Sequence, residues 1–357
     1  MLVGCNSGSP SNPLPAPPPP PLIPEFAYVI NYGSNSVSAY TINTSTGALT
    51  QVAGSPFAAG TEPDNVAIDS SYFVYVANLG SNNVSAYTIN TSTGALTQAA
   101  GSPFATGTSP SGVTTDSTGF AYVANFSSNN ISAYTINTST GALAQVAGSP
   151  FTAGTAPEGV AIDPTGKFAY APDYGSANVS AYSINASTGA LTQVAGSPFA
   201  TGTLPMEMAI DPTGKFAYIA NYDSNNVSAY TINASTGALT QVAGSPFAAG
   251  TEPFGVTIDP TGKFAYVTTN SSNNVSAYAI NASTGALTAL AGSPFALGTD
   301  PAGMAFDPTG RFAYVANFSS NNVYAYTINT STGVLTQVAG SPFAAGTEPV
   351  GVVVARR

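Results

Sequence analysis

The hydrophobic pattern of this chain is one phrase written seven times. In the copy that runs through residues 255–296, GVTID from Gly255 is a short apolar run ending at a turn, and FAYV from Phe264 is aromatic and β-branched. VSAYAI from Val275 alternates, and residues 287–295 close the unit. Runs of this length, rich in Val, Ile, Tyr and Phe and punctuated by turn residues, predict four strands, A to D, with no helical period anywhere inside the unit. The turns carry matching chemistry. In Asp259-Pro260-Thr261-Gly262, Pro presets φ at the second position and Gly accepts the left-handed conformation, and Ser283-Thr284-Gly285 plays the same part between C and D. The signature STG-(A/V)-L recurs at Ser45, Ser92, Ser139, Ser187, Ser235, Ser283 and Ser331, seven copies spaced by 47 or 48 residues. A period of this size marks a repeat architecture whose units cannot bury their faces alone.

Strand B places Phe264 and Tyr266 on one face and Ala265 and Val267 on the other, so the sheet is apolar on both sides and must be covered on both. Four-stranded sheets stacked face to face around an axis meet that demand, which predicts an all-β, seven-bladed β-propeller of antiparallel blades. The ends support closure. The first copy starts at strand B with FAYV from Phe26, and the chain ends on GVVVA from Gly351, a strand A without its followers. Residues 350–354 are therefore expected to complete the blade begun at Glu25, making residues 25–357 one domain. The other repeat fold of β-strands, a parallel β-helix, has repeats about half this length or less.

Composition narrows the class. Charged residues are 6% of the chain, the formal charge is -10, and there are six Lys and Arg and no His. So few cations, with no basic stripe, leave nothing to neutralise phosphates and exclude nucleic acid as a partner. A single Cys excludes an internal disulfide framework. That residue, Cys5, ends the tetrad Leu2-Val3-Gly4-Cys5, which matches a bacterial lipobox and predicts lipidation there, with residues 1–9 as the remnant of a signal and flexible start. Residues 10–24, with the run of prolines at 17–21, read as an extended polyproline spacer. Lipid, tether and ring in that order predict a monomeric, extracytoplasmic domain held at the cell envelope or secreted, touching the membrane only through its anchor and meeting a surface protein or glycan.

The repeat seen from Glu158 to Asn185, GVAIDPTGKFAY followed later by NVSAY, resembles the YVTN-type repeat of the seven-bladed propeller lactonase family, over residues 25–355. The resemblance implies the propeller fold and, for the enzymatic members, reactions such as those of 6-phosphogluconolactonase and carboxymuconate cycloisomerase. It also implies a segment Pro-Arg-His entering strand A, which would place cationic and general-base groups at the channel mouth. Here the residues after that Pro are Asp64-Asn65, Ser111-Gly112, Glu158-Gly159, Met206-Glu207, Phe254-Gly255, Ala302-Gly303 and Val350-Gly351, with no Arg or His in any copy.

What the chain offers instead is a biased end. Strands alternate direction, so the loops before A and after B emerge together, and these carry Glu62, Asp64, Glu158, Glu207, Glu252, Asp300 and Glu348, while Lys167, Lys215, Lys263 and Arg311 sit in the turns at the other end. Converging carboxylates suggest a Ca²⁺ site, with Glu62, Glu158, Glu207 and Glu252 as its ligands. The copies differ most at Met206, Glu207 and Met208, at Phe254 and at Ala171-Pro172-Asp173. An apolar arc of Met206, Phe254, Ala302 and Val350 facing Glu62, Asp64 and Glu158 predicts a small-ligand pocket of Asp64, Glu158, Met206, Glu207 and Phe254. The seven tyrosines equivalent to Tyr278 are expected to pack between blades, and Asn78, Asn125, Asn221 and Asn317 to cap the loops that follow them. With no residue assigned to catalysis, the expected function is a surface-attached binding or scaffolding ring. A lactone hydrolase of the 6-phosphogluconolactonase type and a purely structural envelope protein are the alternatives.

Overall fold

The computed structural model describes residues 25–356, and within them every element is a strand. Seven sheets of the same topology form seven blades. In blade 2, strand A (Pro63–Ile68), strand B (Phe73–Asn78), strand C (Asn83–Ile89) and strand D (Leu96–Gln98) pair antiparallel in order, and the other blades repeat this arrangement. Each strand A contacts the strand A of the next blade, and that of blade 1 contacts that of blade 2, so the seven innermost strands close a ring around a central channel.

Closure is made by the chain ends. The C-terminal strand, Pro349–Arg356, pairs antiparallel with Glu25–Asn31 along its whole length and supplies the missing strand A of blade 1. The expected fourth strand differs in one respect. It is broken in two, as at Leu287–Ala289 and Phe295–Ala296, and both pieces pair with strand C at opposite ends. Proline cannot donate to a ladder, and a Gly-Ser-Pro step lies at each break. The Ser hydroxyl fills part of the gap: Ser293 Oγ accepts the N–H of Ala277 at 2.8 Å, and all seven blades repeat the contact.

Two sets of tyrosines bind the blades together. The strand C tyrosines reach back, as when Tyr278 donates its hydroxyl to the Ala248 carbonyl at 2.6 Å, and Tyr40 of blade 1 does the same to Ala344 of blade 7. The strand B tyrosines reach forward, Tyr218 to the Gly285 carbonyl at 2.9 Å and Tyr314 of blade 7 to Gly47 of blade 1. Each is a buried neutral hydrogen bond worth roughly 1 kcal/mol, on top of a large apolar ring packed between sheets. Gly285 is required twice over. Its φ is +74°, and a Cβ there would meet the Phe216 ring at 2.4 Å.

Candidate active site

The chemistry of the ring is decided where the innermost strands begin. Each strand A opens with Pro, then one variable residue, then in most blades Gly. Gly112 shows why: a Cβ there would lie 2.7 Å from the Gly159 Cα, so neighbouring strands approach too closely for a side chain. Two blades depart from Gly at this step, with Asn65 and Glu207, and both departures line the channel. Asn65 also accepts the N–H of Val113 through Oδ1 at 3.2 Å, bridging blades 2 and 3.

Blade 4 departs further. Its strand A is reduced to Ala161–Ile162, with Pro157 held to Asp173 by an isolated bridge, whereas the corresponding strands of the other blades run for six residues or more. The cause is Pro172 in strand B (Phe168–Asp173), which has no N–H to give to the ladder at that point. The Pro172 carbonyl still accepts the Glu158 N–H at 2.9 Å, so Glu158 is fixed at the edge of an open stretch, and both residues line the channel.

The result is a cavity of about 210 Å³ whose lining includes the carboxyls Asp64, Glu158 and Glu207 and the apolar Met206, Met208, Phe254 and Val350. All five candidate ligand residues therefore share one cavity. Ala302 is not on its lining, being buried in the core beside it. Three carboxyls with no cation beside them repel one another's charge and lose hydration. Burial, and then the charges of Asp64 and Glu207, push Glu158 up to about 8. Burial followed by the charge of Glu62 pushes Asp64 up to about 7, and burial followed by Asp64 pushes Glu207 up to about 7, against a hydrogen bond from the Val256 backbone.

The proposed metal ligands do not form one set. Glu158 and Glu207 are in the channel, but Glu62 and Glu252 stand on the outer rim, each at the residue before the strand A proline with φ of +53° and +56°. That backbone turns their side chains outward over the loop after strand B, where Glu252 accepts a hydrogen bond from Ser271 and the Glu62 carboxylate packs over Gly80. Among the described residues no three acidic side chains gather as a cation site. Cys5 and the proline-rich residues 10–24 lie outside the described residues.

One feature of the mouth carries no regular motif. The residue after each strand B is Tyr32, Leu79, Phe126, Tyr174, Tyr222, Asn270 or Phe318, all half-buried at the channel entrance. Tyr32 and Phe318 rings lie 6.1 Å apart and Phe126 and Tyr174 rings 5.8 Å apart, each pair bridging two blades. The signal was a recurring aromatic among Asn and Ser. The asparagines that precede it are fully buried ties: Asn78 donates to Asn83 Oδ1 and Ser85 Oγ and accepts the Gly60 N–H, so they join the loops on both sides of the blade.

The family described as lactonase, 7-bladed beta-propeller, matches residues 24–113, 99–200 and 160–354. The chain belongs to the lactonase family of seven-bladed propellers. Solved structures of the same shape include a proposed 6-phosphogluconolactonase of Bacteroides fragilis, 23% identical with a TM-score of 0.83, covering 95% of this chain and 100% of that one. A second, from Bacteroides uniformis, is 21% identical with a TM-score of 0.82 over 94% of this chain and 100% of that one. The periplasmic gluconolactonase of Pseudomonas aeruginosa is 19% identical with a TM-score of 0.79, over 93% and 99%. These likenesses establish the fold. A search of curated proteins found no match. Within this lactonase-family ring the seven segments that enter the channel bring carboxyls and apolar groups, and neither Arg nor His.

Proposed function

We propose that this protein hydrolyses lactones that carry no phosphate, using the channel carboxyls as general base and general acid. The observation that supports this reading most directly is the meeting of Asp64, Glu158 and Glu207 in one cavity with affinities for protons raised to about 7, 8 and 7. Near neutral pH such a trio holds some of its protons and lacks others, the condition a paired acid and base requires. An ionised Asp64 or Glu207 takes a proton from water as its oxygen bonds to the lactone carbonyl carbon. Protonated Glu158 gives its proton to the ring oxygen as the ring C–O bond breaks, leaving a hydroxy acid. The two carboxyls then exchange the proton back. A phosphorylated lactone meets three carboxyls and no cation, so it is excluded.

The test is the turnover of gluconolactone and of its phosphorylated form by the full chain, beside Glu158→Gln. Hydrolysis of the first alone, lost in the variant, is the expected result; equal rates with the variant would remove the carboxyls from the reaction. A ligand-binding ring without turnover is the second reading, favoured by the absence of His from the chain. In either case the tetrad ending at Cys5 supports a place outside the cytoplasm, tethered by residues 10–24.

A further inference from the structure

Met206, Glu207 and Phe254 reach the cavity from places where strand A leaves its ladder. In blade 6 the pairing of strand A (Pro253–Ile258) with strand B (Phe264–Thr269) jumps from Pro253 opposite Thr269 to Val256 opposite Val267, so Phe254 and Gly255 have no partner in register. Blade 5 jumps in the same way across Met206 and Glu207. A bulge of this kind re-aims side chains, and the backbone N–H groups it frees need another acceptor.

Blade 6 supplies one from a side chain. Thr268, only 1% exposed, accepts the Gly255 N–H through Oγ1 at 3.0 Å and donates its hydroxyl to the Ala302 carbonyl of blade 7 at 2.7 Å. The corresponding residues of the other blades are Ile30, Ala77, Ala124, Pro172, Ala220 and Ala316, none with a hydroxyl. The segment pinned in this way is the one on which Glu207 of blade 5 lies. Glu207 Oε2 sits over Gly255, where a Cβ would come within 3.0 Å of it, and the Val256 N–H donates to the same carboxylate. Blades 6 and 7 therefore meet at one hydroxyl, and a cavity carboxyl of blade 5 rests on the segment that this hydroxyl holds.

We propose that Thr268 is a positioning residue of the cavity, which fixes the Gly255-Val256 step and through it the Glu207 carboxyl. Removing the hydroxyl leaves a buried N–H at Gly255 and a buried carbonyl at Ala302 without this partner, and the step must shift to find them others. A Val256 N–H drawn away no longer favours the charged form of Glu207, so the affinity of that carboxyl for its proton rises. The consequence for turnover rests on the hydrolytic reading above; the placement of Glu207 does not.

Comparing Thr268→Val with Thr257→Val in the full chain tests the proposal. Thr257 donates its hydroxyl to the Met304 carbonyl at 3.0 Å, so each variant removes one Thr hydroxyl bond to strand A of blade 7, but Thr257 is not on the cavity lining. Carboxyl ¹³C resonances of glutamate-labelled protein, with that of Glu207 assigned by its loss in Glu207→Gln, follow the proton directly. Glu207 is expected to hold its proton ~10-fold more tightly in Thr268→Val, to keep the wild-type value in Thr257→Val and to recover it in Thr268→Ser. Asp64 and Glu158, the carboxyls that share the cavity with Glu207, are the same in all of these proteins. With gluconolactone, kcat should fall ~10-fold in Thr268→Val with KM little changed, and be retained in Thr257→Val and Thr268→Ser. Should Val prevent folding, Thr268→Ala supplies the residue that blades 2, 3, 5 and 7 carry at this place. A Glu207 titration unmoved by loss of the Thr268 hydroxyl, or moved equally by Thr257→Val, would overturn the proposal. A moved titration without turnover by any form would sink the hydrolytic reading alone, and wild-type turnover with an unmoved titration would sink this one alone.

Discussion

Replacing Glu158 by Gln should make the protein more stable in alkaline solution, the reverse of what removal of a surface charge usually does. In the folded ring the Glu158 carboxyl is raised from 4.5 to about 8. Because the folded value lies above the unfolded one, the proton stabilises the fold fully below about 4.5, and that contribution is lost as pH climbs through 8. At ~1.4 kcal/mol per pKa unit the ceiling is about 5 kcal/mol. The carboxyl lines a cavity and shares its protons with Asp64 and Glu207, which brings the expected effect to roughly 2–3 kcal/mol. Gln has the same shape and no charge to desolvate. For a domain of this size roughly 1–2 °C of melting temperature corresponds to each kcal/mol. Melting curves from about pH 5 to about pH 9 should therefore show wild type falling steeply, with the variant several degrees above it at the alkaline end and level with it at the acid end. Parallel curves, or a variant less stable than wild type at about pH 9, would refute the claim that this carboxyl is held uncomfortably in the channel.

Other outcomes follow from single contacts. Asp173 is fully buried where most blades have Asn, and Asn178 Oδ1 beside it is buried without a partner, whereas Asn83 Oδ1 in blade 2 accepts from Asn78. Asp173→Asn restores that donor and removes a carboxyl raised to about 6, chiefly by burial, so it should add roughly 1–3 kcal/mol at about pH 8 and less at about pH 5, as chemical denaturation would read. Ala177 has φ +51° at the position where Asn225 has φ +56° and accepts the Glu252 N–H at 2.8 Å. Ala177→Asn should supply the same bond to Leu204 and stabilise by about 1 kcal/mol, since Asn tolerates the left-handed conformation that Ala does not. Deleting residues 349–357 removes the strand that closes blade 1 and exposes the edge of Glu25–Asn31; the shortened chain should lose its cooperative melt or self-associate, as sedimentation would show.

The fold was legible because one sentence is repeated. Seven copies gave the blade, the two-sided apolar strand B demanded stacking, and the unmatched ends predicted the pairing now seen between residues 25–31 and 349–356. The break in strand D is written in its Gly-Ser-Pro step, but alternation alone does not reveal a strand that leaves the ladder and returns. The channel set of Asp64, Glu158, Met206, Glu207 and Phe254 was readable from the variation between copies, since identical positions build the ring and differing ones face what is not symmetric. The division of the acidic residues was not. Glu62 and Asp64 are two residues apart, yet the positive φ at Glu62 sends one side chain to the rim, while the other lines the cavity. Nor did the sequence show that Pro172 opens strand A of blade 4 beside Glu158, a consequence of ladder geometry between segments far apart in the copy. The aromatic ring at the mouth was hidden for a related reason: its members become neighbours only once the blades are closed into a circle.

The most direct test of the central claim is the pH dependence of gluconolactone hydrolysis by the full chain, corrected for the spontaneous reaction. The expected profile is a bell whose limbs fall in the region of pH 7 to 8 set by the coupled carboxyls, with the catalysed rate abolished in Asp64→Asn and Glu158→Gln while both variants still fold. A rate that is flat across that range, or that survives both substitutions, would contradict it.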